Sequence, residues 1–329
     1  MSERKIYFAA AEFAYNDERR GPSYEKSVLF KCAKDVFPNA ELVDVYNAGS
    51  HKPLLDKIKQ ESRKDRPLVV YVPFRALLGP VELREIREHA DIGILHLDDT
   101  WRTDLVSIYL NYCDWFTTSD PNHRWRYQGR HGLKSRFLPF GYDAEAAARF
   151  SRPFADRDIQ LSFVGARDRY REYIVKKLAS QGIEVSCYGA GWPAGSLSQE
   201  KFYDVIGRSR YALNLSNSTS WDARFLLRYP MALARNLKSN KTVEQLKARH
   251  SEIAALGACQ FSFYTSGIEH LFDIGRDIYV YPNVDELAYM VARISDDEAG
   301  MAASRASERV AELSYQKQFS ELFALQRTT

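Results

Sequence analysis

The sequence of 329 residues has few cysteines and no long apolar run. Its four cysteines, Cys32, Cys113, Cys187 and Cys259, are widely spaced and form no Cys-x-x-Cys pair, which argues against a disulfide scaffold and against structural zinc. We therefore expect reduced core thiols in a cytoplasmic protein. The longest apolar runs, such as residues 67–74, have the length of a strand, far below the roughly 20 residues of a membrane-spanning helix. The chain enters a strand-like run soon after Met1, with no apolar signal region.

The sequence also lacks an excess of either charge. Its 46 lysines and arginines are balanced by 43 acidic residues, which leaves a net charge of +3. This balance excludes a protein that coats nucleic acid, so no nucleic-acid partner is expected. Aromatic residues make up 13% and hydrophobic residues 45%, which is enough for packed cores and excludes disorder as the main state. The length predicts two domains of roughly 100–200 residues each.

Strand-like and helix-like segments alternate in both halves of the chain, as in βαβ units with parallel sheets. The alternation breaks at 139–143, and the polar stretch up to residue 157 marks a domain boundary. We predict two Rossmann-like α/β domains at 1–145 and 155–329, without sequence repetition between them. Residues 217–248 are predicted to be irregular. Strands are predicted at 5–11, 41–46, 67–74, 92–97, 114–118, 135–139, 159–164, 184–188, 211–215, 259–263 and 278–281.

In open α/β sheets, ligands bind beyond the carboxyl ends of the strands, so the residues just after each strand are informative. In the second half, Gly165 with Arg167 and Arg169, then Gly189, then Asn214 occupy such positions. A glycine lets the backbone approach a phosphate, a helix N-terminus favours an anion, and arginines donate in pairs to phosphate oxygens. Ordinary βα turns explain each of these positions equally well.

The segment from Arg249 to Cys259 is more specific. It places Glu252 in the first turn of a predicted helix, followed by small residues, Gly257 and a strand. A carboxylate there is able to accept two hydrogen bonds from vicinal hydroxyl groups, as on a ribose. The alternative is a glutamate that complements the helix dipole.

These motifs resemble the CgeB-like (spore maturation protein-like) group of GT-B glycosyltransferases. In the C-terminal half the resemblance lies in 161–165, 187–192, 213–216, 249–258 and 267–272. The N-terminal half resembles the family more loosely, through 21–25, 96–99 and 137–143.

The resemblance implies a hexosyltransferase-like enzyme with two facing Rossmann-like domains and an active site in the cleft between them. The C-terminal domain would hold a UDP- or GDP-linked sugar, and the N-terminal domain a saccharide or lipid-linked acceptor. No cofactor and no metal ion is expected, because the helix dipole and basic side chains carry the diphosphate. The last helix would cross back to the first domain. The implied donor-binding residues are Gly165, Arg167, Arg169, Tyr188, Gly189, Asn214, Arg249 and Glu252.

Catalytic candidates follow from the same resemblance. Glu252 resembles the ribose-binding second glutamate of the paired-glutamate motif of retaining enzymes, and Glu244 lies eight residues earlier. On one continuous helix the two would be roughly 12 Å apart, so Glu244 must precede the helix to reach the sugar ring. A chance spacing is the alternative. The spacing favours a retaining reaction.

The N-terminal half offers His96, Asp98 and Asp99 at the end of its fourth predicted strand. His96 is a candidate for contacting the transferred sugar, and Asp99 for deprotonating the acceptor, as inversion requires. The alternatives are a core histidine and two helix-capping aspartates.

Other readings of the chain remain open at this point. The 217–248 segment is longer and more basic than the family pattern, and suits a lid, an acceptor-binding insertion or a solvated surface. Two Rossmann-like domains also suit a non-catalytic nucleotide- or sugar-binding module, an epimerase or a phosphorylase. A dehydrogenase is disfavoured, because no G-x-G-x-x-G follows the first strand of either half. By family analogy the setting is bacterial surface polysaccharide or glycolipid assembly, and a lipid-linked acceptor would bring peripheral membrane association.

Overall fold

The computed structural model describes residues 4–46, 49–61, 66–73, 78–97, 107–122, 127, 134–215, 221–239 and 244–324. The chain divides into two compact units. The first comprises Met1–Pro139 with Tyr315–Thr329, and the second comprises Phe140–Ser314. The functions predicted for the two domains, acceptor binding and nucleotide-sugar binding, stay predictions.

Eleven strands lie in the described parts of the chain, and they form one parallel sheet in each unit. The strands are β1 (Ile6–Ala10), β2 (Ala40–Asp44), β3 (Leu68–Tyr71), β4 (Asp91–Ile94), β5 (Trp115–Thr118), β6 (Ser135–Phe137), β7 (Ile159–Val164), β8 (Ser186–Tyr188), β9 (Ser209–Asn214), β10 (Cys259–Ser262) and β11 (Tyr279–Val280).

The α-helices of the described residues pack mostly on the faces of these sheets. They are α1 (Lys31–Val36), α2 (Lys52–Gln60), α3 (Pro80–Arg87), α4 (Ala144–Phe150), α5 (Arg169–Ala179), α6 (Gln199–Arg208), α7 (Ala223–Arg228), α8 (Pro230–Lys238), α9 (Ala248–Ala255), α10 (Val284–Arg293), α11 (Asp296–Val310) and α12 (Tyr315–Ala324). Of these helices, α7 and α8 do not belong to the cores that the described residues form around the sheets. A π-helical segment, Glu25–Phe30, leads into α1.

The two sheets share one strand order. The first runs β2-β1-β3-β4-β5-β6 and the second β8-β7-β9-β10-β11, so the five strands of the second sheet are arranged in the same order as the first five strands of the first sheet. All strand pairs are parallel, for example Ile6 beside Ala40 and Leu161 beside Tyr211. The prediction of two Rossmann-like α/β halves is confirmed, because none of the sheets formed by the described strands runs through both units.

In the first unit the strands β1, β3 and β5 are buried on both faces, which explains their continuous apolar runs. All five residues of β1 are buried. One core cluster joins the sheet to α2 and α3, and the other joins it to α1 and α12. Gly93 on β4 is required by this packing, because a Cβ there would lie 1.9 Å from the Trp115 ring.

In the second unit α4, α6 and α9 pack on one face of the sheet, and α5, α10 and α11 on the other. Helix α9 ends in a left-handed turn at Gly257, which has φ +73°, and Ala258 N–H donates back to the carbonyl of Ile253. The buried Arg157 donates to the carbonyls of Leu256 and Ser209, at 2.7 and 2.9 Å. This arginine fixes the end of α9 against the start of β9.

Two features of the sequence interpretation change. The irregular segment predicted at 217–248 contains two helices, α7 and α8, so that prediction was wrong for the described residues 221–239. The four cysteines are free thiols, as expected, but Cys187 is only half buried. No helix in the described part of the chain combines the length and the apolar character needed to cross a membrane.

Candidate functional site

The strand order of the second unit reverses at β7 and β9, and ligands of open α/β sheets bind beyond such a switch point. Gly165 follows β7 and Leu215 follows β9. The buried Arg171 joins the two ends by donating to the carbonyls of Ala166 and Leu215, at 2.8 and 3.1 Å. Burial lowers the pKa of this guanidinium. Arg171 therefore holds the residues that follow β7 and β9 together at the carboxyl end of the sheet.

The glycine turns after β7 and β8 pack against each other at this edge. Gly165 N–H donates to Tyr188 O at 2.8 Å, and Trp192 Nε1 donates to Gly165 O at 2.9 Å. Gly189 has φ +126°, and a Cβ there would lie 2.3 Å from Gly165 O. Both the backbone angle and the close approach therefore require glycine at 189. The two turns form one continuous backbone surface beside the switch point.

Arg167 and Arg169, which follow Gly165, are exposed and make other contacts, which weakens their assignment to phosphate binding. Arg167 pairs with Glu172 at 2.9 Å, and Arg169 lies 5.9 Å from the Tyr229 ring. The N-terminus of α5 is capped by the carboxylate of Asp168, which accepts from the amides of residues 170 and 171 at 2.9 Å. An acidic cap at that position disfavours a phosphate there, so Arg167 and Arg169 stay weaker candidates.

Arg249 is the arginine that lies at the switch point itself. It belongs to α9, donates through Nη1 to Val164 O, and stacks 4.5 Å from the centre of the Phe202 ring. Val164 is the last residue of β7, so the guanidinium is held where the sheet ends. Stacking on an aromatic ring fixes its plane and leaves the geometry suited to a bidentate anion.

Glu252 lies one turn further along the same helix. Helix α9 begins at Ala248, three residues before the predicted start, so Glu252 is in its second turn and the first-turn prediction was wrong. The helix-dipole explanation weakens with that correction, because the effect is confined to the first turn. Glu252 is only 3% exposed and accepts a hydrogen bond from Gln199 Nε2 at 3.4 Å. Gln199 begins α6, and the sequence interpretation missed it.

A buried histidine anchors the start of α9 to β10. Lys247 N–H lies 3.1 Å from His250 Nδ1, and His250 Nε2 lies 3.1 Å from Ser262 Oγ, which donates in turn to Phe263 O. Nδ1 also lies 3.1 Å from the carbonyl oxygen of Lys247, so the ring is held by the backbone of Lys247 on one side and by the Ser262 hydroxyl on the other. Burial lowers the pKa of His250 to about 4. The neutral imidazole thus closes the N-terminus of the helix that carries Arg249 and Glu252.

Glu244 precedes α9, which is the condition that the sequence set for its reaching a sugar ring. Residues 244–247 are not helical, and Glu244 Oε2 lies 3.2 Å from Lys247 Nζ. Glu244 lines a cavity of about 760 Å³ within the second unit. Its wall includes six aromatic side chains, Tyr170, Tyr173, Trp221, Phe263, Tyr264 and Tyr281. Aromatic faces beside a carboxylate suit a sugar, which offers C–H groups on one face and hydroxyls at its rim.

The remaining predicted residues are placed as follows. Asn214 ends β9, is 4% exposed, and its Nδ2 has no hydrogen-bond partner among the described residues. His96 lies just after β4 in the first unit, 4% exposed, and its backbone amide donates to Thr117 Oγ1 at 3.0 Å. Asp98 and Asp99 lie outside the described residues. The structure therefore gathers the predicted donor-site residues in one unit, at one sheet edge.

Comparisons with known proteins agree with this arrangement. Residues 167–324, which include Arg249 and Glu252, match the family model described as glycosyl transferase-like. No curated protein matches the chain in sequence. Among solved structures, HepE of Anabaena, crystallised with UDP and glucose, is similar at 11% identity and a TM-score of 0.61, over 99% of this chain and 100% of that one.

Two further structures are similar over nearly their whole length. Sucrose-phosphate synthase of Thermosynechococcus elongatus matches at 12% identity and a TM-score of 0.60, over 99% of this chain and 98% of that chain. A glycosyltransferase involved in avilamycin A biosynthesis matches at 14% identity and a TM-score of 0.55, over 98% of each chain. The predicted GT-B fold is confirmed, and the family match confirms the predicted enzyme class, a glycosyltransferase. The CgeB-like subgroup stays a prediction.

Proposed function

We propose that this glycosyltransferase of GT-B fold transfers a sugar from a nucleoside-diphosphate sugar to a saccharide or lipid-linked acceptor. The observation that carries the proposal is the placement of Arg249 and the buried Glu252 on one helix beside the switch point of the second sheet. Residues three apart on a helix share a face, with roughly 5–6 Å between their Cβ atoms. That spacing suits the diphosphate and the ribose of one nucleotide.

Each group of the donor has a matching partner in the second unit. The Glu252 carboxylate would accept from the ribose hydroxyls, and Arg249 with the nearby Lys247 would carry the diphosphate. Glu244, in its aromatic cavity, would hydrogen-bond the transferred sugar. HepE, which has a similar fold, binds UDP and glucose, and this favours a UDP-linked donor with GDP as the second choice.

We also propose that the reaction needs no metal ion, because Arg249 and Lys247 supply the positive charge that the diphosphate requires. The finer assignments are the CgeB-like subgroup, a cytoplasmic site of action, and a role in surface polysaccharide or glycolipid assembly. They rest on the motif resemblance. Full activity in the presence of EDTA is the expected result, and activity that returns only with a divalent cation would contradict the metal-independent reaction.

The direct test is nucleotide binding followed by donor turnover. UDP or GDP at a hundred times its Kd should stabilise the protein by about 2.7 kcal/mol, and NAD should not. The matching nucleotide sugar should then be hydrolysed slowly or transferred. Stabilisation by NAD alone would contradict the proposal. Tight nucleotide binding with no turnover of any nucleotide sugar would indicate a non-catalytic binding module.

A second test concerns stereochemistry. The position of Glu244 ahead of α9 favours retention, in which the departing phosphate takes the acceptor proton and no enzymic base is needed. Asp99→Asn should therefore lower kcat by less than the roughly 10²–10⁴-fold typical of a lost general base. Product NMR should show the donor's anomeric configuration. An inverted product, with an Asp99→Asn variant that binds nucleotide but does not turn over, would contradict retention.

A further inference from the structure

The segment formed by α7 and α8 buries Phe225 but leaves several other large apolar side chains exposed to solvent. Leu227 is 85% exposed, Met231 74% and Leu237 71%, whereas the buried residues of α8 are the small Ala232 and the polar Asn236. A surface helix of a water-soluble unit normally places its large apolar residues inward. The arrangement in α8 is the reverse, and large apolar side chains exposed close together along the chain indicate an interaction site.

The charges on the same segment have one sign. Residues 223–239 contain Arg224, Arg228, Arg235 and Lys238, and no acidic residue. Arg224 pairs with Asp285, but the other three form no ion pair with any described residue. They are exposed beside the leucines. The chain as a whole is nearly neutral, at +3, so this concentration of positive charge is local.

An apolar surface with a cationic border complements an anionic lipid bilayer. The apolar side chains enter the acyl boundary while the basic side chains reach the phosphate groups, as in interfacial amphipathic helices. Trp221 adds an aromatic side chain, 56% exposed, of the type enriched at membrane interfaces. Three of these basic side chains form no ion pair within the described part of the chain, which favours the phosphate groups of a bilayer over a protein partner or a second copy as their ligand.

We infer that the α7–α8 surface, formed by Trp221, Leu227, Arg228, Met231, Arg235, Leu237 and Lys238, docks the protein on an anionic lipid bilayer. Trp221 and Arg224 also line the cavity that contains Glu244, so the docked surface adjoins that cavity. A lipid-linked acceptor would then enter from the bilayer side, and this last point alone rests on the proposed function.

The test is co-sedimentation of the full chain with two kinds of vesicle, phosphatidylcholine alone and phosphatidylcholine mixed with phosphatidylglycerol. Binding should be strong only to the mixed vesicles and should weaken with salt. Leu227→Ser with Leu237→Ser should lower the partition coefficient at least about tenfold for each leucine. Arg235→Gln with Lys238→Gln should lower it about fivefold for each charge.

The controls change an exposed apolar residue and an exposed basic residue elsewhere on the second unit. Met301→Ser, at an apolar position 53% exposed on α11, and Lys201→Gln on α6 should leave vesicle binding unchanged. UDP or GDP binding should be equal in all variants, which separates failure of the docking surface from failure of the proposed function. Equal vesicle binding by the wild type and the leucine variant would overturn the inference. The inference would also be overturned if the wild type bound no vesicles but formed a dimer, and if the leucine variant were a monomer.

Discussion

Glu252→Ala should weaken UDP or GDP binding about 5- to 150-fold, because a hydrogen bond to a charged group contributes about 1–3 kcal/mol. Glu252 is buried, lies one turn after Arg249 on α9, and accepts a hydrogen bond from Gln199. Isothermal titration calorimetry with the nucleotide that stabilises the wild type measures the loss directly. The folded fraction of the variant is checked by circular dichroism before titration.

The nucleotide itself provides the sharper control. The 2′-deoxy nucleotide lacks one of the two hydroxyls, so it should bind the wild type more weakly than the ribonucleotide. In Glu252→Ala the two nucleotides should bind alike, because the carboxylate that distinguishes them is gone. Glu200→Gln, an exposed glutamate on α6, is the matched protein control. If the variant still prefers the ribonucleotide by the wild-type factor, Glu252 does not bind the ribose.

Acidification should destabilise the protein through His250 before its carboxylates respond. The folded pKa of about 4 lies below the unfolded value near 6.5, so the unfolded chain binds the extra proton between these values. The stabilisation is therefore complete above pH 6.5 and is lost as the pH falls toward 4. The free energy of unfolding that is lost by pH 4.5 amounts to about 2–3 kcal/mol, at about 1.4 kcal/mol for each pKa unit.

Urea unfolding of the wild type and of His250→Gln at pH 7 and at about pH 4.5 measures this contribution. The variant should be less stable at pH 7 but should lose less stability on acidification, since glutamine does not titrate. The stability that carboxyl groups with a lowered pKa contribute, such as Glu172 at about 2, is lost mainly below the unfolded value of about 4.5. His270→Gln, at an exposed histidine of the same unit, should keep the wild-type pH dependence. An equal pH dependence in His250→Gln and the wild type would contradict the role of His250.

The sequence by itself determined the architecture. Parallel strands buried on both faces must be apolar along their whole length, and helices between them produce the alternation of βαβ units. This periodicity is local, so it is visible without the fold. It also located the strand ends, and with them Gly165 and Gly189, whose turns the structure shows packed against each other. The resemblance of its motifs to those of GT-B glycosyltransferases further indicated the enzyme class, which the family match confirms.

Only the tertiary structure decided which of the basic residues lie at the site. Asp168 caps α5 beside Arg167 and Arg169, and Arg171 is bound to backbone carbonyls, whereas Arg249 lies at the end of β7. The α7–α8 surface likewise depends on which side of α8 packs inward. In the sequence these arginines all look alike. Their partners are decisive and lie far along the chain: 85 residues separate Arg249 from Val164, and 53 separate Glu252 from Gln199. Contacts over such distances arise from the order of the strands and the packing of the helices, and no local pattern of residues encodes them.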